Sequence, residues 1–146
     1  MSDNRLIEKL SMFLADTYTL YLKTQNFHWN VTGPLFHSMH TMFEAQYNDL
    51  ALAVDEIAER ILTLGGTPLH AYSDFTQHTS ISEDKNVKDG TSCVKGVVTG
   101  LQALIAEQRQ VSALAEESED QGSADLVDAY VQEQEKLVWM YNAFLG

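Results

Sequence analysis

The chain has 146 residues, 21 acidic against 9 basic, for a formal net charge of -12. That length fits a single domain over residues 1–146, large enough to bury a sizeable core. With 45% hydrophobic residues and only 2 prolines, the composition excludes a disordered chain. No stretch approaches the ~20 uncharged apolar residues of a membrane span. The segment Met1 to Leu10 carries Asp3, Arg5, Glu8 and Lys9 and lacks the apolar centre of a signal peptide. A lone Cys93 makes no intrachain disulfide and no cysteine-based zinc site, so the expected compartment is the reducing cytoplasm. Nucleic-acid affinity comes largely from Lys and Arg neutralising phosphates. Here the basic residues are scattered from Arg5 to Lys136 without a run of three or a basic tail, which disfavours direct duplex binding. An acidic surface instead attracts cations.

In chain order, four long segments carry helical apolar spacing and none shows strand alternation. The first runs from about Asn4 to Val31, with Leu6, Leu10, Phe13, Thr17, Leu20, Thr24 and Phe27 on one stripe. Gly33-Pro34 ends it, and a proline suits the first turn of the next helix. The second runs from about Leu35 to Leu64 on Phe36, Met39, Phe43, Tyr47, Leu50, Val54, Ile57, Ile61 and Leu64. Gly65-Gly66-Thr67-Pro68 stops it, a glycine cap with a trailing proline. From Leu69 to Gly90 the pattern weakens into a long connection. Ala71 to Gln77 fits a short helix inside it, and Ser80 with Glu83 forms a weak capping pair. The third helix, about Thr91 to Glu117, uses Val94, Val97, Val98, Leu101, Leu104, Ile105, Val111 and Leu114. After the turn Glu119-Asp120-Gln121-Gly122, Ser123 is the expected cap of a last helix over about Ala124 to Leu145. That helix buries Leu126, Val127, Tyr130, Leu137, Val138, Tyr141 and Phe144. Two helical hairpins joined by one long crossover make an all-α fold, the ferritin-like variant of the four-helix bundle.

Glycine-rich phosphate loops, His-Glu-x-x-His zinc motifs and nucleophile elbows are all missing. So are the Glu-x-x-His pairs of an intrachain carboxylate di-iron centre: Glu44, Glu56, Glu59 and Glu107 precede Tyr, Glu, Leu and Gln at that spacing. The second helix offers something different. His40 and Glu44 are four apart and share a face, as do Asp55 and Glu59, while His28 can fold back across the Gly33-Pro34 turn. Imidazoles mixed with carboxylates suit iron, manganese or zinc. Each element alone has a plainer explanation, since paired carboxylates are ordinarily solvated and a buried histidine is ordinarily a hydrogen-bonded core residue. Fifteen residues separate His40 from Asp55, which returns to within about 60° of one face but about 22 Å along the axis. One ion cannot bridge them within a chain. Two copies of this helix, antiparallel about a two-fold near Asp49, would bring His40 of one against Asp55 of the other.

These residues are recognisable together. Asn26-Phe27-His28-Trp29-Asn30-Val31-Thr32-Gly33, then Phe36 and His40, then Asp55-Glu56-Ile57-Ala58-Glu59-Arg60, resembles the Dps family of ferritin-like proteins. The resemblance continues through Leu64-Gly65-Gly66 and returns at Trp139-Met140-Tyr141-Asn142-Ala143-Phe144-Leu145. It implies a hollow homododecamer that oxidises Fe(II), preferably with hydrogen peroxide, and stores ferric mineral. It implies a dinuclear iron site at the two-fold interface, with His28, His40 and Glu44 from one subunit and Asp55 and Glu59 from its partner. At the Glu44 position the family often has Asp. Trp29 resembles the family tryptophan beside the iron, which donates electrons and quenches radicals; packing at an interface explains it equally well. Asp120, Asp125 and Asp128 match residues that line iron-entry pores, and they also serve as charge complements to a helix N-terminus. Some family members compact DNA, usually through Lys/Arg-rich terminal extensions, a pattern from which this chain departs. His37 is a candidate for supporting the site, His70 and His78 fit the surface, and Cys93 fits packing.

Overall fold

A computed structural model describes residues 4–146; Met1, Ser2 and Asp3, which belong to the mixed-charge start of the chain, lie outside the described residues. Five helices follow in order: α1 (Asn4–Asn30), α2 (Phe36–Thr63), the short α3 (Tyr72–His78), α4 (Gly90–Glu117) and α5 (Gln121–Leu145). The fold is all-α and ferritin-like, with α1 packed on α2 and α4, α4 on α5, and α3 laid against α1. The first stripe is buried throughout, from Leu6 to Phe27. On the second, Tyr47, Val54 and Leu64 are half-buried, and Phe36 is 41% exposed and stacks on the His40 ring instead of entering the core.

The helix ends show local chemistry that apolar spacing alone does not resolve. Pro34 stands before α2 rather than in its first turn, because Leu35, with φ 65°, occupies the N-cap position. At the other end of α2, Gly65 N–H donates to Leu62 O and Gly66 N–H to Ile61 O, the paired bonds of a Schellman cap. Gly65 has φ 91°, the left-handed geometry that such a cap demands. The α4 end repeats this cap with a non-glycine residue: Glu119, at φ 58°, donates to Glu116 O while Asp120 donates to Ala115 O. Asp120 then caps α5, so that helix begins three residues before the expected Ala124, and Ser123 is the donor to the cap rather than the cap itself. Ser80 caps nothing either. Its N–H and hydroxyl both donate to Asp16 on α1.

That bond is part of how the crossover is held. Asp16, fully buried in the apolar stripe of α1, accepts from Thr79 Oγ1 at 2.8 Å, Ser80 N at 2.6 Å and Ser80 Oγ at 2.9 Å. Two turns on, the Lys23 ammonium donates to Ser82 O and lies 3.3 Å from Asp84, and Asn26 Nδ2 donates to Asp84 O. The crossover therefore follows α1 closely, its backbone carbonyls satisfied by side chains where no strand or helix could serve. Its far end is tied to the α1–α2 turn by Thr32 N donating to Lys88 O at 2.8 Å. Asp89 caps α4 through Ser92 N, whose donation holds that carboxyl below its ordinary range. Gly100 lets α1 approach α4, since a Cβ there would collide with Leu20.

Beside Asp16 stands Glu107 of α4, also buried. Burial first, then the hydrogen bond to Asp16 and its charge, push the Glu107 acid up to about 8, against a partial offset from Lys9 at 4.0 Å. At neutral pH it is a proton donor to Asp16. The folded value lies above the unfolded one, 4.5. The folded state thus holds a proton that the unfolded chain releases. Its stability contribution is fully present below the unfolded value and is lost as pH rises through the folded one. Glu107→Gln keeps an N–H donor to Asp16 and removes the titration. Its advantage over the wild type in denaturant melts is expected to grow between pH 5 and pH 9 to on the order of 4 kcal/mol. Parallel stability curves over that range would refute the assignment.

Candidate metal centre

The sharp α1–α2 turn brings His28, near the end of α1, face to face with His40, one turn into α2. Their rings stack at 3.8 Å between centroids with 14° between planes. The two residues bond reciprocally: His28 Nδ1 to His40 O at 2.7 Å, and His40 Nδ1 to His28 O at 2.7 Å. A carbonyl oxygen only accepts, so each Nδ1 carries its proton and donates it. In the neutral ring each Nε2 is then left with a free lone pair. Anchoring the ring through Nδ1–H to fix the ligating nitrogen is how metal-binding imidazoles are ordinarily oriented. His28 is only 6% exposed and His40 half-buried, with Phe36 stacked on His40 and Tyr47 edge-on to His28, at 5.0 Å and 5.2 Å between ring centroids.

Glu44 follows His40 by one turn of α2 and is exposed. Farther along α2, two faces have separate fates. Glu56 accepts from Tyr130 Oη at 2.6 Å, and Arg60 pairs with Asp120 at 2.6 Å and donates to Ser123 Oγ at 2.9 Å, fastening α2 to α5. Burial and the Glu56 carboxylate push the Tyr130 phenol upward, so it remains a donor. Asp55 and Glu59 point elsewhere and are exposed. Among the described residues, the carboxylates of Glu44, Asp55 and Glu59 have neither a hydrogen-bond donor nor a cation beside them. No group of three or more His, Cys, Asp or Glu side chains in a single chain could hold a metal among those residues. One subunit therefore presents an imidazole pair followed by Glu44 and, about 22 Å along α2, an unpartnered carboxylate pair.

Most of the other sequence candidates lie at the surface. Trp29 is 59% exposed and lines a cleft of about 890 Å³ between α1 and the crossover, with Tyr18, Lys23 and Tyr72. Asp120 is committed to capping α5: although its burial works the other way, Ser123 and Arg60 hold the carboxyl below its ordinary range. Asp125 accepts from Gln121 and is exposed, as is Asp128. His37 is exposed, and the His70 and His78 Nδ1 atoms lie against nearby backbone carbonyls. Cys93 is buried, and that burial, the main cause, pushes its thiol up to about 11, the behaviour of a packing residue. Apolar periodicity placed Tyr47 in the core stripe and passed over its contact with His28. The spacing His40 to Tyr47, seven residues on one helix face, carries that signal.

A family model for the ferritin-like domain matches residues 7–146. A Dps protein from Vibrio cholerae O1, described as a member of a broad superfamily of ferritin-like diiron-carboxylate proteins, superposes with a TM-score of 0.96. It is 41% identical, covering 98% of this chain and 90% of that one. A Dps protein from Bacillus brevis superposes with a TM-score of 0.96 at 34% identity, covering 100% of both chains. Among curated relatives, a DNA protection during starvation protein from Porphyromonas gingivalis is 37% identical over 139 residues, 95% of this chain and 87% of the relative.

The reciprocal bonds fix a tautomer that can be read directly. Long-range ¹⁵N–¹H correlation spectra of the metal-free protein, with the histidines assigned through His28→Gln and His40→Gln, are expected to show protonated Nδ1 and bare Nε2 for both rings. An Nε2–H tautomer at either residue would remove the ligand geometry described here.

Proposed function

The chain belongs to the Dps family of ferritin-like proteins, and from that premise we propose that it is a ferroxidase that stores iron. The observation that carries the reading is the pair of ligand-ready imidazoles at one end of α2 and the unpartnered Asp55 and Glu59 toward the other. An antiparallel two-fold pairing of α2 helices completes both sites at once. Each then holds two ferrous ions between His28, His40 and Glu44 of one subunit and the Asp55–Glu59 pair of the other. Iron is substrate and cargo here. Neutral imidazole nitrogens hold ferrous iron without excess charge, and the carboxylates favour the ferric product through theirs. Two ferrous ions together give hydrogen peroxide two electrons; with two protons it becomes two waters, and no hydroxyl radical is released. Trp29 serves as a nearby electron donor in this reading.

Six such pairs close into a hollow homododecamer whose acidic interior nucleates ferric mineral. Asp125 and Asp128, with Asp120 buttressing the start of α5, draw cations toward the entry pores. The protein works in the cytoplasm, consistent with a buried, unreactive Cys93 and with the absence of a helix long and apolar enough to cross a membrane among the described residues. With a formal charge of -12, direct duplex binding is disfavoured and protection of DNA comes from removing iron and peroxide.

Sharing of each site between chains makes a sharp test. His28→Ala/His40→Ala and Asp55→Ala/Glu59→Ala homo-oligomers should each assemble and lose rapid peroxide-driven oxidation. Co-assembly of the two from denatured subunits places one intact site in every mixed dimer. With random pairing, stopped-flow absorbance of ferric product should then recover to roughly a quarter of the wild-type amplitude. Mixed shells, verified by mass, that stay as inactive as their parents would show that the ligands act within one chain.

A further inference from the structure

Five of the six phenylalanines belong to the hydrophobic core or pack against it. Phe36 alone does neither. Its ring lies on that of His40, 5.0 Å between centroids with 24° between planes, and it makes no other ring contact among the described residues. His28 covers His40 at 3.8 Å and 14°. Phe36 and His28 do not touch each other, so they occupy opposite faces of the His40 ring. His40 is therefore the middle member of a three-ring stack, with its Nδ1 bonded to His28 O at 2.7 Å.

The backbone is bent at some cost to put Phe36 there. Gly33 has φ 103° and Leu35 has φ 65°, two left-handed residues on either side of Pro34. Glycine adopts that conformation freely, whereas leucine is crowded in it. Leu35 also holds the N-cap position of α2 without a side-chain bond to the first N–H groups of the helix. The turn makes Phe36 the first residue of α2, its N–H donating to Gly33 O at 3.2 Å. Four residues on, His40 falls on the same helix face. Backbone strain persists where the surrounding structure depends on it. The core gains nothing from this turn, since neither Leu35 nor Phe36 belongs to it. The His40 ring does gain.

We propose that Phe36 is a positioning residue of the metal centre: stacked on His40 opposite His28, it holds that ring in the orientation that presents Nε2 to a divalent metal ion. The proposal rests on the ferroxidase reading, in which His40 is a ligand. A single hydrogen bond leaves an imidazole free to swing about it. With a ring on each face, turning His40 about its Cβ–Cγ bond breaks the Nδ1–H bond and both stacks together. His28 has less need of such a residue, because it is 6% exposed and meets the Tyr47 ring as well as His40. Without Phe36, the ligand-ready orientation of His40 becomes one of several, and apparent metal affinity falls by the fraction populated. An aromatic stack of this kind changes an equilibrium by about two- to tenfold. The stack and its hydrogen bonds lie within one subunit, so they persist whichever surfaces an assembly covers.

The test uses the assembled protein, its mass verified, with cobalt(II) as a redox-stable probe competed against a chelator. Visible d–d absorption reports the coordination geometry, and His40→Gln shows how much of the binding uses that ring. Phe36→Leu and Phe36→Met keep an apolar side chain and remove the ring, whereas Phe36→Tyr keeps it. Both ring-free variants are expected to weaken cobalt(II) binding by the factor above and to alter the absorption band. In the metal-free protein they should also weaken the Nδ1–H correlation of His40. Phe36→Tyr should restore all three. If the ring-free variants bind cobalt(II) as the wild type does, or Phe36→Tyr fails as they do, the positioning role is wrong and the metal centre stands. If affinity falls only in step with loss of assembly, Phe36 serves an interface and the positioning role is again wrong. If His40→Gln leaves cobalt(II) binding intact, the ring is no ligand, and the reading of the centre falls together with the role of Phe36.

Discussion

The functional end of this protein depends on the closure of the α1–α2 turn, where two imidazoles and two backbone carbonyls satisfy one another. The last carbonyls of α1, His28 O among them, lack donors of their own helix, whereas His40 O lies within the α2 ladder and takes a second bond. Reciprocal Nδ1–H donation from His28 and His40 removes that deficit and stacks the rings. It also determines which nitrogen of each ring remains available. A structural bond and a chemical preparation are therefore the same contact. Tyr47 and Phe36 pack around the stacked pair from the α2 side, so ring orientation is fixed by packing as well as by hydrogen bonds.

A second constraint acts along α1. Asp16, Lys23 and Asn26 hold the crossover to the helix by side-chain bonds to Thr79, Ser80, Ser82 and Asp84. A long connection without secondary structure has backbone groups to satisfy, and α1 provides the partners from its own polar side chains. One consequence is a buried carboxyl pair, Asp16 with a protonated Glu107. Another is that α3 is pressed against α1, where Tyr72 and Phe75 meet Tyr18.

Along α2, the division of labour between neighbouring charged residues is steric in origin. Glu56 and Arg60 turn toward α5 and bond to Tyr130, Asp120 and Ser123. Asp55 and Glu59, each one residue earlier on the helix, are rotated by about 100° and find no partner among the described residues. In the single chain water solvates these exposed carboxylates; burying them against another surface would be costly unless something else neutralised them. In the proposed assembly a partner subunit and bound cations neutralise them.

The sequence by itself determined the helices and their order, because apolar residues at spacings of three and four leave little choice over segments of this length. It also marked His28, His40, Glu44, Asp55 and Glu59, because helix arithmetic places them on shared faces and the resemblance supplied their grouping. Helix ends were less legible. Apolar periodicity does not distinguish Asp120 from Ser123 as a cap, and the difference lies in which carboxylate receives which N–H. Buried polar residues were less legible still: Asp16 sits among apolar neighbours, and its acceptors' partners lie more than sixty residues away in the crossover. Only the tertiary structure decided that the two imidazoles lock each other's tautomer and that Glu107 holds a proton. Each of these rests on contacts between different helices, and helical periodicity within one segment contains no information about the segment opposite.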